Sequence, residues 1–177
     1  MRSHEEKLEG LVQVYTGAAK GKTTAALGLA LRAAGQGMKV VIIQFIKGGP
    51  ECGEHLFAQK HHTFDIVQLN EGDSFTQTLA ELRPITEKTL AIAEATLQKG
   101  DYDVVILDEI FIARSKGLIT TPQILALMAK KPAKTELVLT GRDAPKEVID
   151  RADLVTEMVA VKHPFDRGVR ARRGIEY

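Results

Sequence analysis

The segment Gly-Ala-Ala-Lys-Gly-Lys-Thr-Thr at residues 17–24 has the composition of a loop that binds phosphate groups. It follows an apolar run at residues 11–15 and precedes a stretch rich in alanine and leucine, which is the strand–loop–helix setting that such a loop requires. Small residues let several backbone N–H groups approach one anion, and the N-terminus of the next helix adds positive charge. Lys22 would bind the phosphates, and the Thr23 hydroxyl would bind Mg²⁺. The segment therefore predicts a site for a nucleoside triphosphate.

The predicted loop is shorter than the common phosphate-binding pattern, in which four residues separate the two glycines. Only three residues lie between Gly17 and Gly21, and Thr16 occupies the position of the usual first glycine. A shorter loop is still a cradle of N–H groups, but its register on the phosphate chain changes. The pattern predicts polyphosphate binding more strongly than hydrolysis of the terminal phosphate.

An acidic pair, Asp108-Glu109, follows the apolar run at residues 104–107. A hard divalent cation binds carboxylate, hydroxyl, water and phosphate oxygens, so carboxylates at the end of a buried strand suit the metal of a nucleotide site. A carboxylate that caps a following helix is the alternative interpretation. The sequence does not decide which of the two carboxylates would reach the metal.

Arg142 and His163 are two further candidates for ligand contacts. Arg142 follows the apolar run at residues 136–139, and its guanidinium suits contacts with phosphate or ribose, although an ordinary surface arginine is equally consistent with the sequence. His163 lies beside Pro164 and Gly168, which indicate an ordered turn. The chain has no Gly-x-Ser-x-Gly elbow, no second cysteine and no His-Glu metal motif. We therefore expect the chemistry to come from ATP and a partner substrate.

Alternating apolar runs and helix-forming stretches predict an α/β fold with a mostly parallel central sheet flanked by helices. The runs are continuous, as is typical of parallel strands covered on both faces. Ligands bind at the carboxyl ends of the strands in such sheets. The predicted strands are 11–15, 39–45, 64–69, 103–107, 136–139 and 154–159; the predicted helices are 22–36, 79–98 with a break near Pro84, 122–129 and 143–151; residues 46–62 and 70–78 are predicted loops.

Composition narrows the class of protein. The 177 residues are 44% hydrophobic and 27% charged with a net charge of +1, which indicates neither a nucleic-acid footprint nor an acidic tail. No apolar stretch reaches the roughly 18 residues that span a bilayer, and the acidic N-terminus is unlike a signal peptide. Cys52 is the single cysteine, so an internal disulfide is excluded. We expect a cytoplasmic protein without nucleic-acid or membrane partners, with a flexible segment at 1–9 and a single domain at 10–177.

Five segments form a pattern more specific than a phosphate loop alone. They are residues 14–26, Gln44-Phe45-Ile46-Lys47-Gly48, Leu107-Asp108-Glu109, Thr140-Gly141-Arg142, and an ending that runs from Val161-Lys162-His163-Pro164-Phe165-Asp166 to Gly174-Ile175-Glu176-Tyr177. Together they resemble the P-loop type of ATP:corrinoid adenosyltransferase, also called cob(I)alamin adenosyltransferase, over about residues 10–177. The resemblance implies a P-loop fold related to the recombinase-type ATPases, commonly in a homodimer.

The resemblance also implies a reaction. The 5′-deoxyadenosyl group of ATP is transferred to the cobalt of a corrinoid reduced to Co(I), and tripolyphosphate leaves. ATP is expected to bind in reverse orientation relative to ordinary P-loop enzymes, which fits the short loop. Because Co(I) is a strong nucleophile, no general base is required, and the protein must position ATP and stabilise charge on the triphosphate. Mg²⁺ or Mn²⁺ and a flavoprotein-type reductant are the implied companions.

Carried over residue by residue, the resemblance implies catalytic roles for Lys22, Thr23 and Glu109. It implies that Thr23 and Glu109 are metal ligands, with Asp108 as the third candidate beside them. The implied ATP-binding residues are Thr16, Gly17, Ala18, Ala19, Lys20, Gly21, Lys22, Thr23, Thr24 and Arg142.

The corrinoid contacts implied by the resemblance are Phe75 and His163. Phe75 is the only aromatic residue of the loop 70–78, and it would press on the lower face of the corrinoid and displace the axial ligand of cobalt. Phe45 and Phe111 are predicted to be core residues instead.

The chain departs from the family pattern in its phosphate loop, where Ala18-Ala19 replaces Asn-Gly. Alanine disfavours positive φ, so a tighter loop is expected. Two other functions are also consistent with the residues: a P-loop ATPase or small-molecule kinase, which would produce ADP, and an ATP-binding module without turnover. The short loop and the lack of an evident catalytic base disfavour the kinase.

Overall fold

The computed structural model describes residues 9–48, 52–74 and 76–177. The predicted flexible segment, apart from Glu9, lies outside the described residues, and so does Phe75. Among the helices that are described, none combines the length and the apolar character that a membrane crossing requires.

A six-stranded sheet forms the centre of the described part of the chain. Its strands lie in the order β3-β2-β4-β5-β1-β6, and every pair of neighbours is parallel. The predicted α/β class is confirmed, with a sheet that is parallel throughout these pairings. The strands are β1 (Val12–Thr16), β2 (Val40–Gln44), β3 (Asp65–Gln68), β4 (Val104–Asp108), β5 (Glu136–Thr140) and β6 (Leu154–Glu157).

Helices cover both faces of the sheet. The described helices are α1 (Lys22–Gly35), α2 (Gly53–His61), α3 (Leu79–Lys99), α4 (Ile110–Ser115), α5 (Thr121–Lys130) and α6 (Lys146–Ile149), and a 3₁₀ helix spans Pro164–Arg167. Alternate residues of a strand point to opposite faces, so Val40 and Ile42 of β2 pack in the cluster that contains α1. Val41 and Ile43 pack in the cluster that contains α3, α4 and α5. This two-sided burial explains the continuous apolar runs of the sequence.

Phe45 and Phe111 are 1% and 0% exposed, which confirms that they are core residues. Helix α3 begins with a capping box between Thr78 and Glu81. The helix continues through Pro84, so the predicted break is wrong. Proline removes a single N–H donor from the helical ladder, and the flanking turns of this long helix remain formed.

Three helical predictions are corrected by the structure. Residues 46–62 were expected to be a loop but contain α2, and α4 was not predicted. None of the nine residues of α2 is fully buried, and neither helix begins with a side-chain cap, so the usual sequence signals of a helix are missing. Helix α6 is shorter than the predicted 143–151, because Asp143 has a left-handed backbone (φ 55°) and Pro145 is the N-cap.

Four adjacent strands end in a buried polar residue at the same edge of the sheet. These residues are Gln44 of β2, Asp108 of β4, Thr140 of β5 and Thr16 of β1. Buried polar groups require hydrogen-bond partners, so this edge must be built from side chains that pair with one another. The carboxyl edge of the sheet is therefore where the candidate site lies.

Gly141, directly after β5, provides a test of the packing at this edge. Its φ is +141°, and an added Cβ would lie 2.7 Å from Cβ of Phe111. We expect Gly141→Ala to lower the free energy of unfolding by about 3 kcal/mol, from backbone strain and overpacking together. Gly28→Ala in α1 is the matched control, because nothing lies within 4 Å of its added Cβ. The control should gain about 1 kcal/mol. Urea denaturation measures both; equal stability of Gly141→Ala and wild type would contradict this packing.

Candidate functional site

The phosphate loop connects β1 to α1. Its two glycines occupy left-handed backbone positions, with φ of 100° at Gly17 and 123° at Gly21. Among the described non-glycine residues, positive φ occurs only at His62, Glu109 and Asp143. Ala18 and Ala19 therefore adopt ordinary conformations, and the replacement of Asn-Gly by two alanines introduces no backbone strain of this kind.

The loop is held by Met158, which follows β6. The Met158 N–H donates to the carbonyl of Thr16 at 2.9 Å, and the Ala19 N–H donates to the carbonyl of Met158 at 3.1 Å. A Cβ at Gly17 would lie 2.4 Å from the Met158 carbonyl oxygen, and a Cβ at Gly21 would lie 2.7 Å from its sulfur. Positive φ favours glycine at both positions, and at Gly17 the backbone of Met158 also leaves no space for a Cβ.

Lys22 spans the inner side of the loop. Its Nζ donates to the carbonyls of Gly17 at 2.8 Å and Ala19 at 2.6 Å. Burial lowers the pKa of Lys22, and the positive charge of Arg142 acts in the same direction, while the carboxylates of the site oppose it. An anion at the loop would meet the ammonium group and the N–H groups together.

Asp108 lies beneath the loop and is fully buried. Its Oδ1 accepts hydrogen bonds from Oγ1 of Thr23 at 2.9 Å and from Oγ1 of Thr140 at 2.7 Å. Its Oδ2 accepts from Nε2 of Gln44 at 3.3 Å. The Thr23 hydroxyl donates a hydrogen bond to Asp108, so the lone pairs of its oxygen stay available to a cation.

Glu109 is the N-cap of α4, in a left-handed conformation with φ 59°. The Glu109 N–H donates to Oγ1 of Thr140 at 2.9 Å, which ties its backbone to the Asp108 cluster. Burial raises the pKa of Glu109 from 4.5 to about 7, and the negative charge of Asp108 acts in the same direction. Burial and Asp108 therefore disfavour the charged form of Glu109, and a bound cation would stabilise that form.

The donor set fits a magnesium ion that is shared with a polyphosphate. In the part of the chain that the structure describes, no three His, Cys, Asp or Glu side chains form a complete metal cluster. Mg²⁺ commonly takes one or two protein oxygens and completes its shell with water and substrate phosphates. Thr23 and Glu109 could supply the protein oxygens, and Asp108 could hold Thr23 in place.

A cavity of about 610 Å³ opens beside the loop and brings most of the predicted site residues together. Of the predicted set, it is lined by Ala19, Lys20, Gly21, Lys22, Thr23, Thr24, Glu109, Arg142 and His163. Thr16, Gly17, Ala18 and Asp108 do not line it: Thr16, Gly17 and Asp108 are buried, whereas Ala18 is exposed. Phe75 lies outside the described residues.

The cavity also contains residues to which the sequence assigned no role. Lys47 and Glu54 line it and form an ion pair. Burial opposes the charge of both groups, but the hydrogen bond and charge of the partner dominate, so the pKa of Lys47 is raised and the pKa of Glu54 is lowered. Lys47 lies in one of the five resembling segments, which was the only available signal; Glu54 had none.

The C-terminal residues 174–177 form another wall of the cavity. Nζ of Lys20 donates to the carbonyl of Ile175 at 3.1 Å, so the end of the chain contacts the phosphate loop directly. Arg172 pairs with Glu176 and closes this segment into a compact turn.

Comparison with known proteins shows the family to which these features belong. The sequence model of the family "ATP:corrinoid adenosyltransferase BtuR/CobO/CobP" matches residues 8–177. The chain belongs to this family. Proteins named corrinoid adenosyltransferase are 37% identical over 171 residues in Pseudomonas aeruginosa and 39% over 174 residues in Sinorhizobium sp.. These alignments cover 95% and 96% of the chain, and 84% and 81% of the relatives. A relative from Salmonella typhimurium, corrinoid adenosyltransferase CobA, is 33% identical over 99% of the chain and 89% of its own length.

Membership of the corrinoid adenosyltransferase family confirms the resemblance drawn from the five segments and the enzyme class that it implied. The parallel sheet with its phosphate loop is consistent with the P-loop fold expected for this family. The roles of individual site residues stay predictions, and the contacts described above are their structural basis.

The raised pKa of Glu109 makes the stability of the protein depend on pH. Below pH 4.5 the carboxyl is protonated in both the folded and the unfolded chain. Between 4.5 and about 7 the folded chain keeps a proton that the unfolded chain loses, so the free energy of unfolding falls as pH rises. Glu109→Gln removes this dependence, and at pH 8 in EDTA it should be more stable than wild type by up to about 3 kcal/mol.

Urea denaturation across pH 5 to 8 measures this effect. The stability advantage of Glu109→Gln should shrink as pH is lowered towards 5. Glu87→Gln, on an exposed position of α3, is the matched control and should follow the wild-type curve. A constant difference between Glu109→Gln and wild type at all pH values would contradict the raised pKa.

Proposed function

We propose that this protein transfers the 5′-deoxyadenosyl group of ATP to the Co(I) of a reduced corrinoid and releases tripolyphosphate. The observation that carries the proposal is the family match, which spans every described element of the site from the phosphate loop to the C-terminal wall. The reaction forms a cobalt–carbon bond and breaks the bond between C5′ and the triphosphate oxygen. Two electrons move from cobalt to carbon, and the departing oxygen keeps the pair of the broken bond.

The reaction requires no proton transfer from the corrinoid or the ribose. The chain therefore has to bind and orient the two substrates and neutralise the charge of the triphosphate. The backbone cradle and Lys22 would hold the triphosphate, and Arg142 at the rim of the cavity would add a second positive charge. Thr23 and Glu109 would hold Mg²⁺ or Mn²⁺, which neutralises charge on the leaving group when it is bound. Asp108 would keep the Thr23 hydroxyl turned so that its lone pairs face the metal.

The corrinoid would be bound by Phe75 and His163. Nδ1 of His163 accepts a hydrogen bond from the Phe165 N–H at 3.2 Å, so in the neutral ring the proton is on Nε2. A lining histidine of this tautomer offers an N–H donor to a polar group of a ligand. Phe75 is assigned from the sequence resemblance alone, as the aromatic residue of its loop.

Several further features are part of the proposal and rest on the family resemblance. These are a homodimer, a flavoprotein-type reductant that supplies the electrons for Co(I), a cytoplasmic location, and one domain at 10–177 behind a flexible segment at 1–9. One structural observation favours a second copy: all four residues of edge strand β6 are exposed, whereas parallel strands are commonly covered on both faces.

The central experiment is an anaerobic incubation with ATP, Mg²⁺ and a corrinoid that is pre-reduced to Co(I). We expect the Co(I) absorbance to disappear, a light-sensitive alkylcobalt product to form, and tripolyphosphate to accumulate in equal amount by ion chromatography. Lys22→Ala should lower the rate by at least about 100-fold, because it removes a charge from the leaving-group site. Lys88→Ala, at an exposed position of α3, is the control and should match wild type.

The outcomes separate the alternatives. ADP and phosphate as products would support an ATPase or kinase instead. ATP binding without any product would support a non-catalytic module. A Lys22→Ala rate near that of wild type would contradict the role assigned to Lys22.

Phe75→Ala tests the axial role of the loop 70–78. If Phe75 displaces the lower ligand of cobalt, it assists reduction of Co(II) rather than the transfer itself. We expect a roughly 10-fold slower reaction when the assay starts from Co(II) and a reductant, and a small effect when it starts from Co(I). Phe57→Ala, an exposed aromatic on α2, is the control. Equal slowing from both starting states would contradict the axial role.

A further inference from the structure

Two side-chain contacts connect the end of β2 to the first turn of α2. Lys47, just beyond β2, pairs with Glu54, and Nε2 of His55 lies 2.8 Å from Oε1 of Gln44. Glu54 and His55 are adjacent residues, so this turn of α2 is attached to the site twice. No residue of α2 is fully buried, so these polar contacts help to position its N-terminal turn.

Gln44 continues this connection into the site. The residue is 1% exposed, and both ends of its amide have partners: Oε1 meets His55, and Nε2 donates to Oδ2 of Asp108 at 3.3 Å. An ionised carboxylate only accepts hydrogen bonds, so the amide must present its NH₂ end to Asp108. His55 must then donate from Nε2 to the Gln44 oxygen, and this bond holds the amide against a 180° flip that would turn oxygen towards oxygen.

The chain of contacts ends at the predicted metal ligand. Asp108 accepts from Gln44 on one oxygen and from the hydroxyls of Thr23 and Thr140 on the other. If Asp108 rotates about its terminal torsion, the proton of Thr23 loses its acceptor and the lone pairs of the hydroxyl lose their direction. Gln44 is the donor that opposes this rotation at Oδ2.

We propose that Gln44 and His55 are positioning residues of the ATP site, which act through Asp108 to aim the Thr23 hydroxyl at the metal of bound Mg²⁺·ATP. This proposal rests on the ATP-binding part of the proposed function. Neither Gln44 nor His55 lines the cavity beside the phosphate loop. Outer contacts of this kind commonly change metal affinity by about 10- to 100-fold when they are removed.

The test measures ATP affinity by calorimetry, once with Mg²⁺ and once with EDTA. Gln44→Met keeps the length of the side chain and removes its hydrogen bonds, and His55→Leu removes the donor to Gln44. We expect each variant to bind ATP about 10-fold more weakly in Mg²⁺. In EDTA both variants should bind ATP like wild type, because the backbone cradle and Lys22 are unchanged.

The double variant Gln44→Met/His55→Leu distinguishes positioning from a general structural role. If His55 acts through Gln44, the double variant should lose no more affinity than Gln44→Met alone. His55→Gln should stay close to wild type, because the amide nitrogen of glutamine reaches the position of Nε2 of histidine. His61→Leu, which removes an imidazole from the other end of α2, is the matched control and should bind ATP normally.

Several results would overturn the proposal: losses that multiply in the double variant, equal losses in Mg²⁺ and EDTA, or wild-type ATP affinity that does not depend on the metal. If Gln44→Met fails to fold, as thermal unfolding would reveal, the comparison of His55→Leu with His55→Gln decides alone. Adenosyl transfer is measured separately on wild type. Loss of transfer together with the expected binding pattern would refute the proposed reaction and leave the positioning role intact.

Discussion

The buried carboxylate of Asp108 is the constraint around which the site is arranged. A charged group removed from water must be compensated by hydrogen bonds, and Asp108 receives three, from Thr23, Thr140 and Gln44. These donors come from α1, β5 and β2, so one carboxylate fixes the relative positions of three elements around the end of β4. The phosphate loop is therefore attached to the sheet by the side chain of Thr23, the predicted metal ligand, as well as by its backbone.

The two neighbouring carboxylates are placed for different tasks. Asp108 is the last residue of β4 and points into a nest of donors beneath the surface. Glu109 turns through a left-handed conformation, so that its side chain lies at the cavity while its N–H stays bonded to Thr140. The sequence shows only an Asp-Glu pair. The backbone turn between the two residues leaves Asp108 buried among its donors and places the Glu109 side chain at the cavity.

Strong local patterns made much of the fold predictable. The continuous apolar runs such as 104–107 identified buried parallel strands, and the glycine-lysine-threonine segment identified the loop, because both signals come from residues close in sequence. The polar contacts of α2 were not predictable in this way. Glu54 and His55 lie on a helix without a buried face or a capping side chain, and their partners are 7 and 11 residues away.

Contacts between residues far apart in the chain could not be predicted either, because no local pattern connects the two partners. Met158, at the end of β6, contacts the phosphate loop, and no sequence pattern near Gly17 predicts that contact. Ile175 reaches Lys20 across a separation of 155 residues. The resembling segments contain Lys47 and Ile175, but a resemblance identifies a segment without saying what each of its side chains contacts.

The strand order has a consequence for how the protein is made. β1 pairs with β5 on one side and with β6 on the other. Val12 therefore has no strand partner until Leu137 has been synthesised, and Gln13 has none on the other side until Leu154 has been synthesised. A ribosome delivers these strands more than a hundred residues apart, and pairings at such separation form slowly. During synthesis β1 and its phosphate loop have no neighbouring strand until β5 has been made. Thr140 and Met158, which contact the site, also come late in the chain, so the nucleotide site is completed near the end of synthesis.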